Sequence, residues 1–150
     1  MKLRWAALFV VLAFSALMTR GAGAQTSQPR TAQRRNGSLG QNYPNPFNPD
    51  TRFRFTVGDS ANCAGDRHRV SIRIVNLLAQ LVAIPVIEGG SATVPGNTPI
   101  DNVELECGAY VAYWKGTFRG TNREAASGFY IYRVEVDGRV VDTRRMFLGK

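Results

Sequence analysis

Residues 51–57 read TRFRFTV, and their alternation decides the class of fold. On an extended chain Phe53, Phe55 and Val57 fall on one face and Arg52, Arg54 and Thr56 on the other, because successive side chains of a strand point to opposite sides. The same period of two returns in RVSIRIV (69–75), with Val70, Ile72 and Ile74 set against Ser71 and Arg73. It continues in QLVAIPVI (80–87), NVELEC (102–107), AYVAYW (109–114), GFYIYRVEV (128–136) and RVVDTRRMFL (139–148). Gly, Pro, Asn and Asp clusters separate these runs. About seven short strands with turn signals between them, and no amphipathic helix, predict an all-β antiparallel sandwich.

The last two runs also suggest a register. Asp137-Gly138 is a favoured pair for a two-residue type I′ turn, which would place Val136 opposite Arg139. Counting back from there sets Val134 against Val141 on one face and Arg133 against Asp142 on the other, an arrangement suited to a hairpin covered on one side.

Just before the first run lies QNYPNPFNPD (41–50). Pro44, Pro46 and Pro49 forbid a helix and push Tyr43, Asn45 and Asn48 toward extended geometry. The Pro46–Pro49 spacing is that of a ligand for a proline-reading domain. However, Tyr43 and Phe47 are large apolar groups, and a strand follows at once. The favoured reading is structural: the aromatics anchor the segment to the sandwich, and the prolines remove edge donors that would pair with another chain.

LGQNYPNPFNPDTRFRF, followed by VSIRIVNLLAQLVA, YVAYWKG, REAASGFYIYRVEVDG and RRMFLGK, resembles the FlgD-like Ig domains and the C-terminal sorting domains of the type IX (Por) secretion system. The resemblance covers about residues 39–150 and rests on the ordered set of blocks. It carries Tyr43, Pro44, Pro46, Phe47, Pro49, Trp114, Gly128 and Tyr130 as motif positions. It implies an Ig-like β-sandwich that serves outer-membrane sorting, surface attachment or assembly without catalysis, with secretion or surface-assembly proteins of the outer membrane as partners. This chain departs from the family at three places. Leu78-Ala79-Gln80 stands where Leu-Gly-Arg is usual, Trp114-Lys115-Gly116 replaces Trp-Asp-Gly, and TFRGTNRE (117–124) replaces an acidic, Gly-rich loop. The stretch from 87 to 108 is longer than usual, and its Gly, Pro and Asn content predicts mobility. With no cargo domain, the alternative is a freestanding structural or adhesive protein of the periplasm or the cell exterior.

The N-terminus predicts export. Lys2 and Arg4 precede an uncharged, largely apolar run of 14 residues, Trp5–Met18, and Ala22-Gly23-Ala24 supplies small residues for cleavage. The run is short of the roughly 18–20 residues that cross a bilayer. Residues 1–24 therefore read as a helical signal peptide, and residues 25–38, with Ala32 as their one apolar side chain, as a disordered leader. No transmembrane segment is expected after cleavage, and the expected destination is the periplasm, the cell surface or the exterior.

The net charge of +8 sits mostly outside the sandwich, since residues 39–150 hold thirteen basic against eleven acidic residues. The arginines alternate with apolar residues instead of clustering, which argues against nucleic acid. Two cysteines in an exported chain favour a Cys63–Cys107 disulfide, worth up to about 4 kcal/mol for a loop of this length. A metal is the weaker reading, because the two thiols and His68 give at most three ligands without close spacing.

No nucleophile elbow, zinc-protease or phosphate-loop motif occurs, and no cofactor is expected. His68 reads as an exposed residue without an orienting partner, and Glu104 and Glu106 as solvated carboxylates on one strand face. Tyr110, Tyr113, Trp114, Tyr130 and Tyr132 read as core and cross-strand partners, with a sugar or peptide groove the lesser reading.

Overall fold

A computed structural model describes residues 36–59 and 65–150, so the expected signal peptide and most of the expected leader lie outside the described residues. The strands are β1 (Gly37–Leu39), β2 (Thr51–Val57), β3 (Arg67–Val75), β4 (Leu81–Ala83), β5 (Val86–Ile87), β6 (Val103–Glu106), β7 (Gly108–Trp114), β8 (Gly128–Val136) and β9 (Arg139–Leu148). One sheet has the order β1-β2-β7-β5. The other has the order β4-β3-β8-β9, with β6 also paired to β3. All strand pairs are antiparallel. The fold is the all-β sandwich expected, with nine strands in place of about seven.

The two additional strands have separate origins. Gly37 and Ser38, expected to be linker, pair with Val57 and Thr56. Only a residue without a side chain fits at Gly37, where a Cβ would stand 2.7 Å from the Thr56 carbonyl oxygen. The run QLVAIPVI, expected to be one strand, divides into β4 and β5 in different sheets. Pro85 lies at the crossing. It has no N–H for a ladder, and its carbonyl accepts the Ile100 N–H instead.

The alternating residues meet in the middle. Phe53, Phe55 and Val57 from one sheet and Val70, Ile72 and Ile74 from the other are all buried. The sheets touch through Phe53 on Tyr132, with ring centroids 4.4 Å apart, and Trp114 on Tyr130 at 5.4 Å. The long 87–108 connection also contributes to the core: Val94 and Ile100 are buried, and the Ile72 N–H donates to the Ile100 carbonyl.

The β8–β9 hairpin turns at Asp137-Gly138, both with positive φ, and Val136 pairs with Arg139 as expected. Beyond that the register differs. Glu135 pairs with Val140 and Val134 with Asp142, leaving Val141 as a bulge, and Arg133 faces Thr143. The extra residue carries Asp142 to the side where β1 lies, and there its Oδ2 accepts the Leu39 N–H at 2.8 Å. Arg144 completes the link by donating from Nε to the Leu39 carbonyl at 2.6 Å.

At the β3–β4 turn the Asn76 side chain accepts from the Leu78 and Gln80 N–H groups. Ala79 is held there at φ 60, a conformation that costs a residue with a Cβ. Ala79→Gly is expected to stabilise the protein by about 1 kcal/mol, read as a higher urea midpoint at unchanged slope. An unchanged or lower midpoint would show that the turn does not strain Ala79.

Candidate functional site

The proline stretch proves to be a strap across one side of the sandwich. It joins β1 to β2 within one sheet and runs along β9, the edge strand of the other sheet. On the way, Gln41 Nε2 donates to the Arg145 carbonyl, the Phe47 N–H to the Phe147 carbonyl, and the Phe147 N–H to Asn45 Oδ1. The long edge strand β9 is thereby covered, which removes a template for pairing with another chain. Phe47 is buried against Trp114 at 5.4 Å, as expected of an anchor. Tyr43 is not an anchor: it is 82% exposed, and its backbone, paired with Arg52, does the holding. The three X-Pro bonds before Pro44, Pro46 and Pro49 are cis, and all three prolines are exposed.

Sequence reasoning missed what fixes the strap from below. Asn42 and Thr51 are buried polar residues. Asn42 Nδ2 donates to the Pro44 carbonyl and to Thr51 Oγ1, and Thr51 Oγ1 donates to the same carbonyl. The Tyr132 hydroxyl donates to the Gly40 carbonyl and accepts the Asn42 N–H. Burial pushes this phenol up to about 12, although the Asn42 N–H opposes the shift, so it stays a donor at any ordinary pH.

Of the other motif positions, Trp114 and Tyr130 are core residues that pack edge to face. Their polar atoms are satisfied locally, Trp114 Nε1 by the Thr117 carbonyl and the Tyr130 hydroxyl by the Ala126 carbonyl. Gly128 opens β8 opposite Leu148. Tyr110 is half-buried on Phe55, whereas Tyr113 lies outside the core, donating to Asp50 with Arg52 over its ring. Glu104 and Glu106 are exposed, and Glu106 pairs with Arg67.

His68 departs from expectation because it does have an orienting partner. Its Nδ1 lies 2.7 Å from Asp137 Oδ2, and the Arg69 N–H donates to Asp137 Oδ1. Burial pushes the Asp137 carboxyl up, but the His68 and Arg69 hydrogen bonds and charges outweigh it and hold the group below the ordinary carboxylate range. Among the described residues, the cleft around the pair is lined by Arg67, Arg69, Asn102, Glu104 and Gly138.

A depressed carboxyl stabilises the fold above its unfolded value, and that stabilisation is lost as pH falls through the folded value, below about pH 4. Asp137→Asn keeps an Asn-Gly turn and removes the charge. The variant is expected to lose less stability than the parent between about pH 5 and pH 2. Parallel curves would show that Asp137 makes no contribution.

Cys107 is half-buried between β6 and β7, and its N–H donates to the Asp66 carbonyl; Cys63 lies outside the described residues. Among the described residues no group of three His, Cys, Asp or Glu side chains is placed to hold a metal, and no helix is long and apolar enough to cross a membrane.

A concavity of about 720 Å³ opens between the 84–101 segment and the loop after β7. That loop is a small hairpin of its own, in which Ala125 N–H donates to the Gly116 carbonyl and Phe118 N–H to the Arg123 carbonyl. The Arg119 N–H latches it to the Val82 carbonyl of β4 at 2.8 Å. No sequence motif announced this groove, whose lining comes from three separate segments.

These features define an all-β sandwich with a strapped edge. No family model matches the sequence, and comparison with curated proteins gives no match. Among solved structures, the chain is similar to the Pseudomonas fluorescens alkylpurine DNA glycosylase AlkC bound to DNA containing an abasic site analog. The identity is 13% and the TM-score 0.37, over 77% of this chain and 31% of that one. The chain thus spans about a third of the glycosylase's length, and a likeness at this level carries no argument about function.

Proposed function

We propose that the sandwich is a non-catalytic, exported Ig-like module of the FlgD-like and type IX sorting-domain kind, serving outer-membrane sorting, surface attachment or assembly. The observation that carries this reading is the strap. One of the blocks that carry the resemblance, residues 41–50, is the element that covers β9 and packs Phe47 on Trp114. Phe47, Trp114 and Tyr130, all motif positions, form one continuous aromatic cluster. The signal-like N-terminus supports export.

Fusing residues 36–150 to a periplasmic reporter tests the reading in a strain that has the outer-membrane sorting machinery. Reporter at the cell surface or in the medium is the expected result. Reporter retained in the periplasm would overturn it.

Within this reading the Cys63–Cys107 disulfide is part of the proposal. The Cys107–Asp66 backbone bond brings the chain three residues from Cys63 to the β6–β7 junction. Three residues span up to about 10 Å, within range of a crosslink. The exported protein, alkylated with and without prior reduction, is expected to gain two labels only after reduction. Two labels without reductant would remove the bond.

A further inference from the structure

We propose that the groove between the 84–101 segment and the loop after β7 binds an acidic oligosaccharide. The inference stands apart from sorting, because it rests on the groove alone. The volume of about 720 Å³ falls within the range of small-ligand sites. Both walls are pinned by the backbone. On one side the Asn97 N–H donates to the Ile87 carbonyl, the Ile87 N–H to Thr98, and the Ile100 N–H to Pro85. On the other, the loop hairpin is closed on itself and latched to β4 through Arg119. Little ordering is therefore left for a ligand to impose.

The lining matches a sugar. Asn97, Thr117 and Asn122 present amides and a hydroxyl, groups that both donate to and accept from ring hydroxyls. Pro99, with the parts of the Tyr113 and Phe118 rings not covered by Arg52 and Arg123, supplies apolar surface for the CH face of a pyranose. The charge selects the acidic class. Lys115 and Arg119 are exposed on the rim and form no ion pair among the described residues. The one carboxylate in the lining, Asp101, is turned toward Arg73 at 3.8 Å. Two free cations facing hydroxyl-binding groups fit a chain of uronic acids better than a neutral glycan.

The test titrates the exported protein with tetragalacturonate and with the neutral maltotetraose, followed by amide NMR shifts and calorimetry. Saturable binding of the acidic sugar is expected, with shifts at Asn97 and along Lys115–Asn122, and weaker binding of the neutral one. Lys115→Gln with Arg119→Gln should weaken acidic-sugar binding by about tenfold, the loss of charge-assisted hydrogen bonds. The Arg119 latch to β4 uses its backbone and survives the substitution. Arg69→Gln with Arg139→Gln, which changes two exposed arginines outside the groove, should leave binding unchanged. A flat titration, equal affinity for both sugars, or equal loss in the two double variants would overturn the proposal; the last would mean attraction to net positive charge only.

Discussion

Phe55→Ala is expected to lower stability by about 3–5 kcal/mol, the usual range for removing a buried phenylalanine. For a domain of this size that corresponds to a fall in Tm of roughly 12–20 °C. Phe55 is buried at the centre of β2, with Leu39 of β1 and Tyr110 of β7 as its neighbours in the ladder. Its ring stacks on Tyr110 at 5.5 Å. Deleting it opens a void against side chains from both neighbouring strands, and neither strand is free to collapse into it. Arg54, next in the same strand, is exposed, and Arg54→Ala should change stability by no more than about 0.5 kcal/mol. Urea denaturation of the two variants checks the contrast. Similar midpoints would mean that the core does not depend on this face of β2.

The contrast also marks where the fold was legible in the sequence. In β2 and β3 alternation alone placed Phe53, Phe55, Ile72 and Ile74 inside, but Ser71, expected on the opposite face, is also buried, where its hydroxyl accepts the Asn102 N–H. β1 was illegible because Gly37 and Ser38 have no apolar pattern; they become strand only through the edge that β2 offers. The Val141 bulge was illegible for a related reason. Asp137-Gly138 fixes the turn, but the one-residue shift beyond it serves the Asp142–Leu39 bond, between residues 103 positions apart.

Tyr43 and Asn42 show the same limit in opposite senses. An aromatic read as an anchor is exposed, and an asparagine next to it is buried, because the Tyr132 hydroxyl from β8 meets the backbone at Asn42. His68 was read without a partner because Asp137 lies 69 residues away and reaches it only once the hairpin has formed. The groove was the least legible feature. Its polar residues are ordinary loop residues in sequence, and only the Arg119–Val82 latch and the Asn97–Ile87 bond bring them face to face.

Gly116→Ala tests whether the strap is a rigid part of the sandwich. Gly116 has φ 75 and lies directly against the strap, where a Cβ would overlap the Pro49 carbonyl oxygen. Two costs combine. A left-handed conformation costs an alanine about 1–2 kcal/mol. The overlap is with backbone, so relief requires the 44–50 segment to move, and that segment is held through Phe47, Asn42 and Thr51. Disturbing the burial of Phe47 against Trp114 adds a packing loss of about 1–3 kcal/mol. A total of about 2–5 kcal/mol is expected. Gly120→Ala separates the two costs, because Gly120 has φ 69 and open space around its Cβ position. It should lose only the conformational share, about 1–2 kcal/mol. The difference between the two variants, measured by chemical denaturation, reports how firmly the proline strap is seated. Equal losses would mean that the strap yields freely, and that the aromatic cluster of Phe47, Trp114 and Tyr130 does not hold it.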